Sequence, residues 1–152
     1  MSVEDYDVLN RQVQALFAGE DDFVCAMANF TAVLNEHLDD INWVGFYLMK
    51  NTQLVLGPFQ GKVACTRIPL GRGVCGTAAS ENQSQRIENV HQFEGHIACD
   101  AASNSELVIP FCRDGSVIGV LDIDSPSLGR FTKNDQIGLE VVLKSFENCL
   151  FG

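Results

Sequence analysis

The sequence lacks the features that mark membrane and secreted proteins. It contains no apolar stretch of membrane-spanning length. Residues 1–7 are acidic, without the basic start and apolar core of a signal peptide. We therefore expect a cytoplasmic address. Internal repeats and low-complexity segments are also missing, so the 152 residues predict one globular domain spanning 1–152.

Basic side chains are scarce. Ten lysines and arginines stand against twenty aspartates and glutamates, which gives a net charge of −10. A surface of this sign repels phosphate backbones and anionic lipids. We therefore expect neither nucleic acid nor a membrane as a partner.

Close pairs of metal ligands are nearly missing as well. There are six cysteines but no C-x-x-C pair, and the one close pair is His96-x-x-Cys99. Structural zinc sites usually contain such pairs, so a zinc-holding structural protein is the weaker alternative and we expect no metal. In a reducing compartment the cysteines are mostly thiols, and a disulfide there would be catalytic or redox-sensing.

The segment from His96 to Glu106 is the most informative stretch. It places a cysteine, Cys99, among two carboxylates, a histidine and small polar residues, with neither helical nor strand periodicity. Long irregular segments in compact domains are often functional. The alternative is a surface turn whose cysteine is simply buried. Two further cysteines in glycine-rich contexts, Cys65 and Cys75, favour a functional interpretation.

The remaining pattern predicts an α+β fold. Two helices are predicted by their range, over residues 3–17 and 74–81. Two more are predicted by their first residues: one begins after a cap at Asp21 or Asp22, and one begins at the capping-box sequence Thr132-x-x-Asp135. Strands are predicted over 42–49, 53–59, 61–69, 85–90, 107–111 and 116–124. Short turns between the strands predict a mainly antiparallel sheet. We expect the N- and C-terminal helices on one face of this sheet and a ligand pocket on the other.

Strand alternation places two pairs of side chains on common faces. Trp43 and Tyr47 share one face of the first strand, where they belong either to the core or to a pocket wall. Asp122 and Asp124 share a face at the end of an otherwise apolar strand. Two like charges are costly if buried unpaired, so these carboxylates are either solvated or hold a cation.

The segment from Gly71 to Gly76 matches the G-x-G-x-x-G pattern of dinucleotide-binding proteins. We reject that interpretation, because Pro69 interrupts the preceding strand and the following helix is too short. The glycines instead let the backbone turn sharply into the helix. The amide groups at the start of that helix remain a candidate site for an anion such as a carboxylate.

Four segments together resemble the free methionine-R-sulfoxide reductases, which are single GAF domains. The segments are 57–65, 71–77, 96–106 and 119–125. The resemblance implies a GAF-like fold. It also implies roles for individual residues. Cys99 matches the catalytic cysteine, Cys65 the resolving cysteine and Cys75 an auxiliary resolving cysteine, and the residues that match the substrate pocket are Trp43, Tyr47, Glu106, Asp122 and Asp124. Because the sulfoxide oxygen leaves only when protonated, we expect Glu106 or Asp124 to supply the proton.

The resemblance further implies a reaction and its partners. Free methionine (R)-sulfoxide would be reduced through a cysteine sulfenic acid and an intramolecular disulfide, with thioredoxin as reductant and no cofactor. A homodimer formed through the terminal helices is also implied. The remaining cysteines, Cys25, Cys112 and Cys149, are predicted to be structural thiols. The alternative function is a GAF module that senses a small molecule or redox state without turnover.

Overall fold

The computed structural model describes residues 1–97 and 102–152, so Cys99 and Asp100 lie outside the described residues. The helices are α1 (Val3–Phe17), α2 (Phe23–His37), α3 (Gly73–Glu81) and α4 (Lys133–Phe151). The strands are β1 (Trp43–Lys50), β2 (Gln53–Gly61), β3 (Arg67–Pro69), β4 (Gln85–Ile87), β5 (Ser105–Arg113) and β6 (Ser116–Ser125). Within the described ranges, no helix combines the length and the apolarity needed to cross a bilayer.

The strands form one sheet in the order β3-β2-β1-β6-β5-β4, and every neighbouring pair is antiparallel. This confirms the predicted α+β class with an antiparallel sheet. β1 and β6 lie in the middle, so both of their faces are covered. Two separate cores result, one on each face.

The terminal helices cover one face. Each begins at a side-chain cap: Ser2 and Asp5 form a capping box for α1, Asp22 caps α2, and Thr132 and Asp135 form a capping box for α4. Their apolar stripes pack on alternate residues of β1, β5 and β6. This confirms the predicted placement of the helices. Leu16, which belongs to the apolar pattern of α1, is 58% exposed because it lies at the flank of the buried stripe.

The opposite face carries the second core. It holds Trp43 and Tyr47 from β1, Val108 from β5 and Val120 from β6, with α3 packed above them. The only helix in this core among the described residues is the short α3, and loop residues such as Ala64 and Ile97 pack beside it. A pocket lies between them.

Two predicted strands are shorter than expected. The predicted strand over 61–69 pairs only at Arg67–Pro69, because the backbone of 62–66 crosses the aromatic residues of β1 and its carbonyls accept their hydrogen bonds. The predicted strand over 85–90 ends at Ile87 and is followed by a 3₁₀ turn, Val90–Gln92.

A register shift alters the predicted faces of β6. Phe111 of β5 pairs with Gly119, whereas the next residue, Cys112, pairs with Val117, so Ile118 is an extra residue on β6. As a result Ile118 packs on the helical side and Val117 on the pocket side. Strict alternation along residues 116–124 predicts that Val117 shares a face with Leu121, and the extra residue makes that prediction wrong.

Candidate active site

The carboxylates converge through strand register. Glu106 on β5 lies directly opposite Asp124 on β6, and Asp122 lies two residues further along the same face. Glu106 and Asp122 are buried, with 7% and 5% of their surface exposed, and Asp124 is half-buried. The pairing brings Glu106 beside the two aspartates, which sequence alternation alone had placed together.

The other neighbour of β6 is β1, which places Trp43 opposite Asp124 and Gly45 opposite Asp122. A Cβ atom on Gly45 would lie 2.7 Å from Cη2 of Trp43 and 2.3 Å from Cβ of Phe59. Only glycine therefore lets the indole lie across β1 next to the carboxylates. The sequence interpretation missed this role of Gly45, although a glycine between aromatic residues of a strand is a usable signal.

An aromatic wall forms one side of the site. The Trp43 ring stacks against Tyr47 with centroids 5.8 Å apart and against Phe59 at 5.2 Å. The Trp43 indole nitrogen donates to the Lys62 carbonyl at 3.1 Å, and the Tyr47 hydroxyl donates to the Cys65 carbonyl at 2.9 Å. These two bonds fix the backbone on both sides of residues 63–64 over the pocket, and with it the position of Cys65.

The cysteines fall into distinct environments. Cys65 is disulfide-bonded and half-buried, and Cys75 is a buried free thiol in the pocket wall. The predicted catalytic residue, Cys99, lies outside the described residues. The free thiols of Cys25, Cys112 and Cys149 are not part of the pocket lining.

Burial controls the electrostatics of this pocket. It raises the pKa of Asp122 well above the ordinary value, and the neighbouring Asp124 and Glu106 add to the effect. Burial likewise raises the pKa of the Cys75 thiol, with Asp122 and Glu106 as further causes. The Cys75 Sγ lies 3.9 Å from Oε1 of Glu106. Burial therefore favours the protonated forms of Asp122 and Cys75, and a bound cation would reverse this preference.

Several lining residues were not singled out from the sequence. Arg72, Ser103 and Ile97 border the pocket together with His96. A Cβ atom on Gly73, at the start of α3, would lie 3.3 Å from Ile97, so this loop residue packs over the helix start. These approaches join segments that are distant in sequence, and no local pattern predicts them.

Asn104 anchors the chain where it enters β5. Its backbone N–H donates to the Ser125 carbonyl at 2.8 Å, and its side-chain Nδ2 donates to the Pro126 carbonyl at 2.7 Å. Its side-chain oxygen also lies 2.8 Å from Nε2 of His91. Glu106 lies two residues after this anchor, which limits its freedom in the pocket.

The chain matches a known family. A GAF-domain family model matches residues 27–145. The chain is 59% identical to the free methionine-R-sulfoxide reductase of Escherichia coli, over 97% of this chain and 89% of the relative. This chain belongs to the free methionine-R-sulfoxide reductase family.

Solved structures of the family have the same fold. The reduced form of the enzyme from Staphylococcus aureus is 51% identical, superposes with a TM-score of 0.93 and matches 95% of this chain and 94% of its own. The complex of the Staphylococcus aureus protein with its substrate is 50% identical, with a TM-score of 0.91 and 95% of each chain covered. Family membership and the GAF fold therefore agree with the sequence-based expectation.

Proposed function

We propose that the protein, acting as a single catalytic domain, reduces free L-methionine (R)-sulfoxide to L-methionine. The observation that carries this proposal is the convergence of the carboxyl groups of Glu106, Asp122 and Asp124 with the aromatic rings of Trp43 and Tyr47 in one pocket. The Tyr47 hydroxyl also holds the backbone of Cys65 beside this pocket. The family supplies the class of substrate, and the pocket explains how a free amino acid would be held.

The carboxylates would bind the ammonium group of the substrate. Glu106 and Asp122 are buried, and one oxygen of Asp122 has no hydrogen-bond partner. An ammonium group brings positive charge and three donors, which matches such a cluster. The amide groups at the start of α3, beside Arg72, would receive the substrate carboxylate. Trp43 and Tyr47 would contact the apolar part of the substrate.

Cys99 would be the nucleophile. Its thiolate attacks the electrophilic sulfoxide sulfur while a neutral carboxylic acid, Glu106 or Asp124, protonates the oxygen. The attack forms a bond between Sγ of Cys99 and the substrate sulfur. This bond and the substrate S–O bond then break as the OH group moves to Sγ, so methionine leaves with its sulfur reduced by two electrons and Cys99, oxidised by two electrons, becomes a sulfenic acid. The raised pKa of Asp122 supports this step, because it indicates that the buried cluster retains a proton.

Cys65 would resolve the sulfenic acid. Its thiol condenses with Cys99 to form a disulfide and water, and a dithiol such as that of thioredoxin restores both thiols by exchange. The disulfide-bonded state of Cys65 supports this assignment. Cys75 suits an auxiliary role, because burial and the neighbouring carboxylates raise the pKa of its thiol and so disfavour its thiolate.

Thiol counting tests the reaction directly. Reduced protein freed of reductant is mixed with free methionine (R)-sulfoxide, and thiols and methionine are measured. We expect loss of two titratable thiols and release of one methionine per chain, because one turnover forms one disulfide. A sensor module would lose no thiol and release no methionine, and that outcome would refute the proposal.

Cysteine variants separate the roles. Cys99→Ser should abolish even a single turnover, whereas Cys65→Ser should release about one equivalent of methionine and then stall unless Cys75 replaces it. Cys112→Ser is the matched control, because this thiol is not part of the pocket lining. A normal single turnover by Cys99→Ser would show that the nucleophile is wrongly assigned.

Substrate variants test the ammonium site. Acylating the substrate nitrogen removes its charge and leaves buried acceptors unpaired, a loss of roughly 2–5 kcal/mol. We therefore expect kcat/KM for N-acetylmethionine sulfoxide to be lower than for the free amino acid by at least ~10²-fold. Equal rates on both substrates would exclude the carboxylate site.

Variants of the two aspartates test the same site from the protein side. Asp122→Asn should act mainly on KM, and Asp124→Asn should also lower kcat if this group donates the proton.

A further inference from the structure

One thiol and two carboxyl groups meet in the pocket. Cys75 on α3, Glu106 on β5 and Asp122 on β6 each direct one donor atom inward, and these atoms lie within 4.8 Å of one another. All three residues are buried, at 5%, 7% and 5% exposure. The donor set is one sulfur and two carboxylate oxygens.

A second observation concerns one oxygen of Asp122 in this cluster. Oδ1 of Asp122 is fully buried and forms no hydrogen bond. A buried acceptor without a donor costs free energy, and its neighbours Glu106 and Asp124 are acceptors when ionised. The atom therefore faces a position that suits a cation.

We propose that Cys75, Glu106 and Asp122 form a reversible binding site for a zinc ion. Zinc accepts both thiolate and carboxylate ligands, at about 2.3 Å and 2.0–2.2 Å. Those bond lengths place the ligand atoms of a tetrahedral ion roughly 3.5 Å apart, so small side-chain rotations close the present separations. The fourth position faces the pocket and is left to water.

The donor set also selects among metals. Mg²⁺ and Ca²⁺ prefer oxygen ligands alone and keep higher coordination numbers, whereas a thiolate favours Zn²⁺ or Co²⁺. The ligand pair His96-x-x-Cys99 suggested by the sequence is a different set, and the site at Cys75 does not require it. The carboxylates come from strands that are not adjacent to Cys75 in sequence, so a search for closely spaced ligands does not find them.

Cobalt binding tests the site without reference to catalysis. The protein is used with the Cys65 disulfide intact, so that this cysteine cannot serve as a ligand. Titration with Co²⁺ should produce a thiolate-to-cobalt charge-transfer band in the near ultraviolet and the visible bands of a tetrahedral ion. Zn²⁺ should displace the cobalt at a stoichiometry of one per chain.

Variants assign the ligands. Cys75→Ser should remove the charge-transfer band and weaken Zn²⁺ binding by at least ~10-fold, and Asp122→Asn and Glu106→Gln should each weaken it by a similar factor while the band persists. Cys112→Ser and the exposed Cys25→Ser are matched controls and should bind as the unaltered protein does. If Cys75→Ser fails to fold, the two carboxylate variants decide the question. Absence of the band, or binding that none of the three variants weakens, would overturn the proposal.

Competition between Zn²⁺ and free methionine relates the zinc site to the proposed function. Of the experiments on the zinc site, only this competition rests on the proposed function. Saturating free methionine, the proposed product, should weaken Zn²⁺ binding, because its ammonium group and the metal would use the same carboxylates. If Zn²⁺ still binds through Cys75 but methionine has no effect, the metal site stands and the proposed ammonium site fails. If methionine binds but Zn²⁺ does not, the metal site fails alone.

Discussion

At the scale of single residues, Asp122 shows how function and stability oppose each other. The residue lies on a central strand, is buried, and has two other carboxylates as neighbours. A protein selected for stability alone would place an apolar residue there. Active sites often retain such unfavourable groups, because interactions with the bound ligand compensate for their cost in stability.

Asp122→Asn should therefore stabilise the protein while impairing substrate binding. Burial raises the folded-state pKa of Asp122, so the native state holds a proton that the unfolded chain releases as pH rises. The free energy of unfolding of the unaltered protein thus falls with rising pH above the ordinary aspartate range. We expect Asp122→Asn to gain about 1–2 kcal/mol near pH 8 and little near pH 4, measured by urea denaturation.

An exposed aspartate provides the control for this measurement. Asp7 on α1 is exposed, so Asp7→Asn should change stability little, and equally at both pH values. If the stability difference between Asp122→Asn and the unaltered protein does not depend on pH, the group is not protonated in the native state.

At the scale of helices and strands, the contact between α1 and α4 depends on a glycine. The Tyr6 hydroxyl donates to Oδ1 of Asp135 at 2.6 Å, and Oδ2 of Asp135 accepts from Arg130 at 3.2 Å. The Tyr6 ring lies on Gly138, where a Cβ atom would approach Cγ of Tyr6 to 2.3 Å. The two helices therefore meet where α4 has no side chain.

Gly138→Ala should destabilise the protein, although alanine is the better helix former. Alanine gains about 0.8–1.0 kcal/mol of intrinsic helix propensity over glycine. Overpacking against the Tyr6 ring costs about 1–3 kcal/mol. The net effect should be a lower free energy of unfolding, measured by thermal or urea denaturation.

The sign of this effect should reverse once the ring is removed. In a Tyr6→Ala background the Cβ atom meets no ring, so Gly138→Ala should then stabilise by up to ~1 kcal/mol. A stabilising effect of Gly138→Ala in the otherwise unaltered protein would show that the helices can separate at no cost.

The bulge in β5 and β6 is likewise compensated by a helix. The Cys112 amide, next to the register shift, donates to Oε2 of the buried Glu147 on α4 at 2.7 Å. A backbone donor displaced from the ladder thus obtains a carboxylate acceptor. This contact explains why an acidic side chain is buried in α4.

At the scale of the whole molecule, the terminal helices leave apolar side chains outside. Leu16 and Val8 on α1 and Ile137 and Val141 on α4 are between 45% and 58% exposed. Single exposed apolar residues are ordinary, but these four lie on two helices that pack together. This arrangement fits the homodimer that the family resemblance implies.

We expect a dimer in solution that Val141→Glu dissociates, because the new carboxylate would be buried in the interface. Light scattering during gel filtration at micromolar concentration measures the mass. Leu128→Glu is the control, since Leu128 is 63% exposed and lies outside both helices. A monomer mass for the unaltered protein would contradict this prediction.

The sequence by itself determined the helices, the longer strands and the faces of β1 and of the end of β6. Caps at Asp22 and Thr132, and the alternation that pairs Trp43 with Tyr47 and Asp122 with Asp124, act between residues a few positions apart. Such signals depend on backbone geometry and local hydrogen bonds, so they can be predicted from the amino-acid sequence alone. The antiparallel sheet followed from the short connections between strands.

Only the tertiary structure decided the contents of the pocket. Glu106 reaches the two aspartates through strand register, Cys75 approaches through the packing of α3, and residues 62–66 leave the sheet because Trp43 and Tyr47 bind their carbonyls. The bulge at Ile118 is a further example. Each of these features depends on contacts between residues that are far apart in the chain. The free energy of such contacts arises only when the molecule is packed, so no local pattern of residues predicts them.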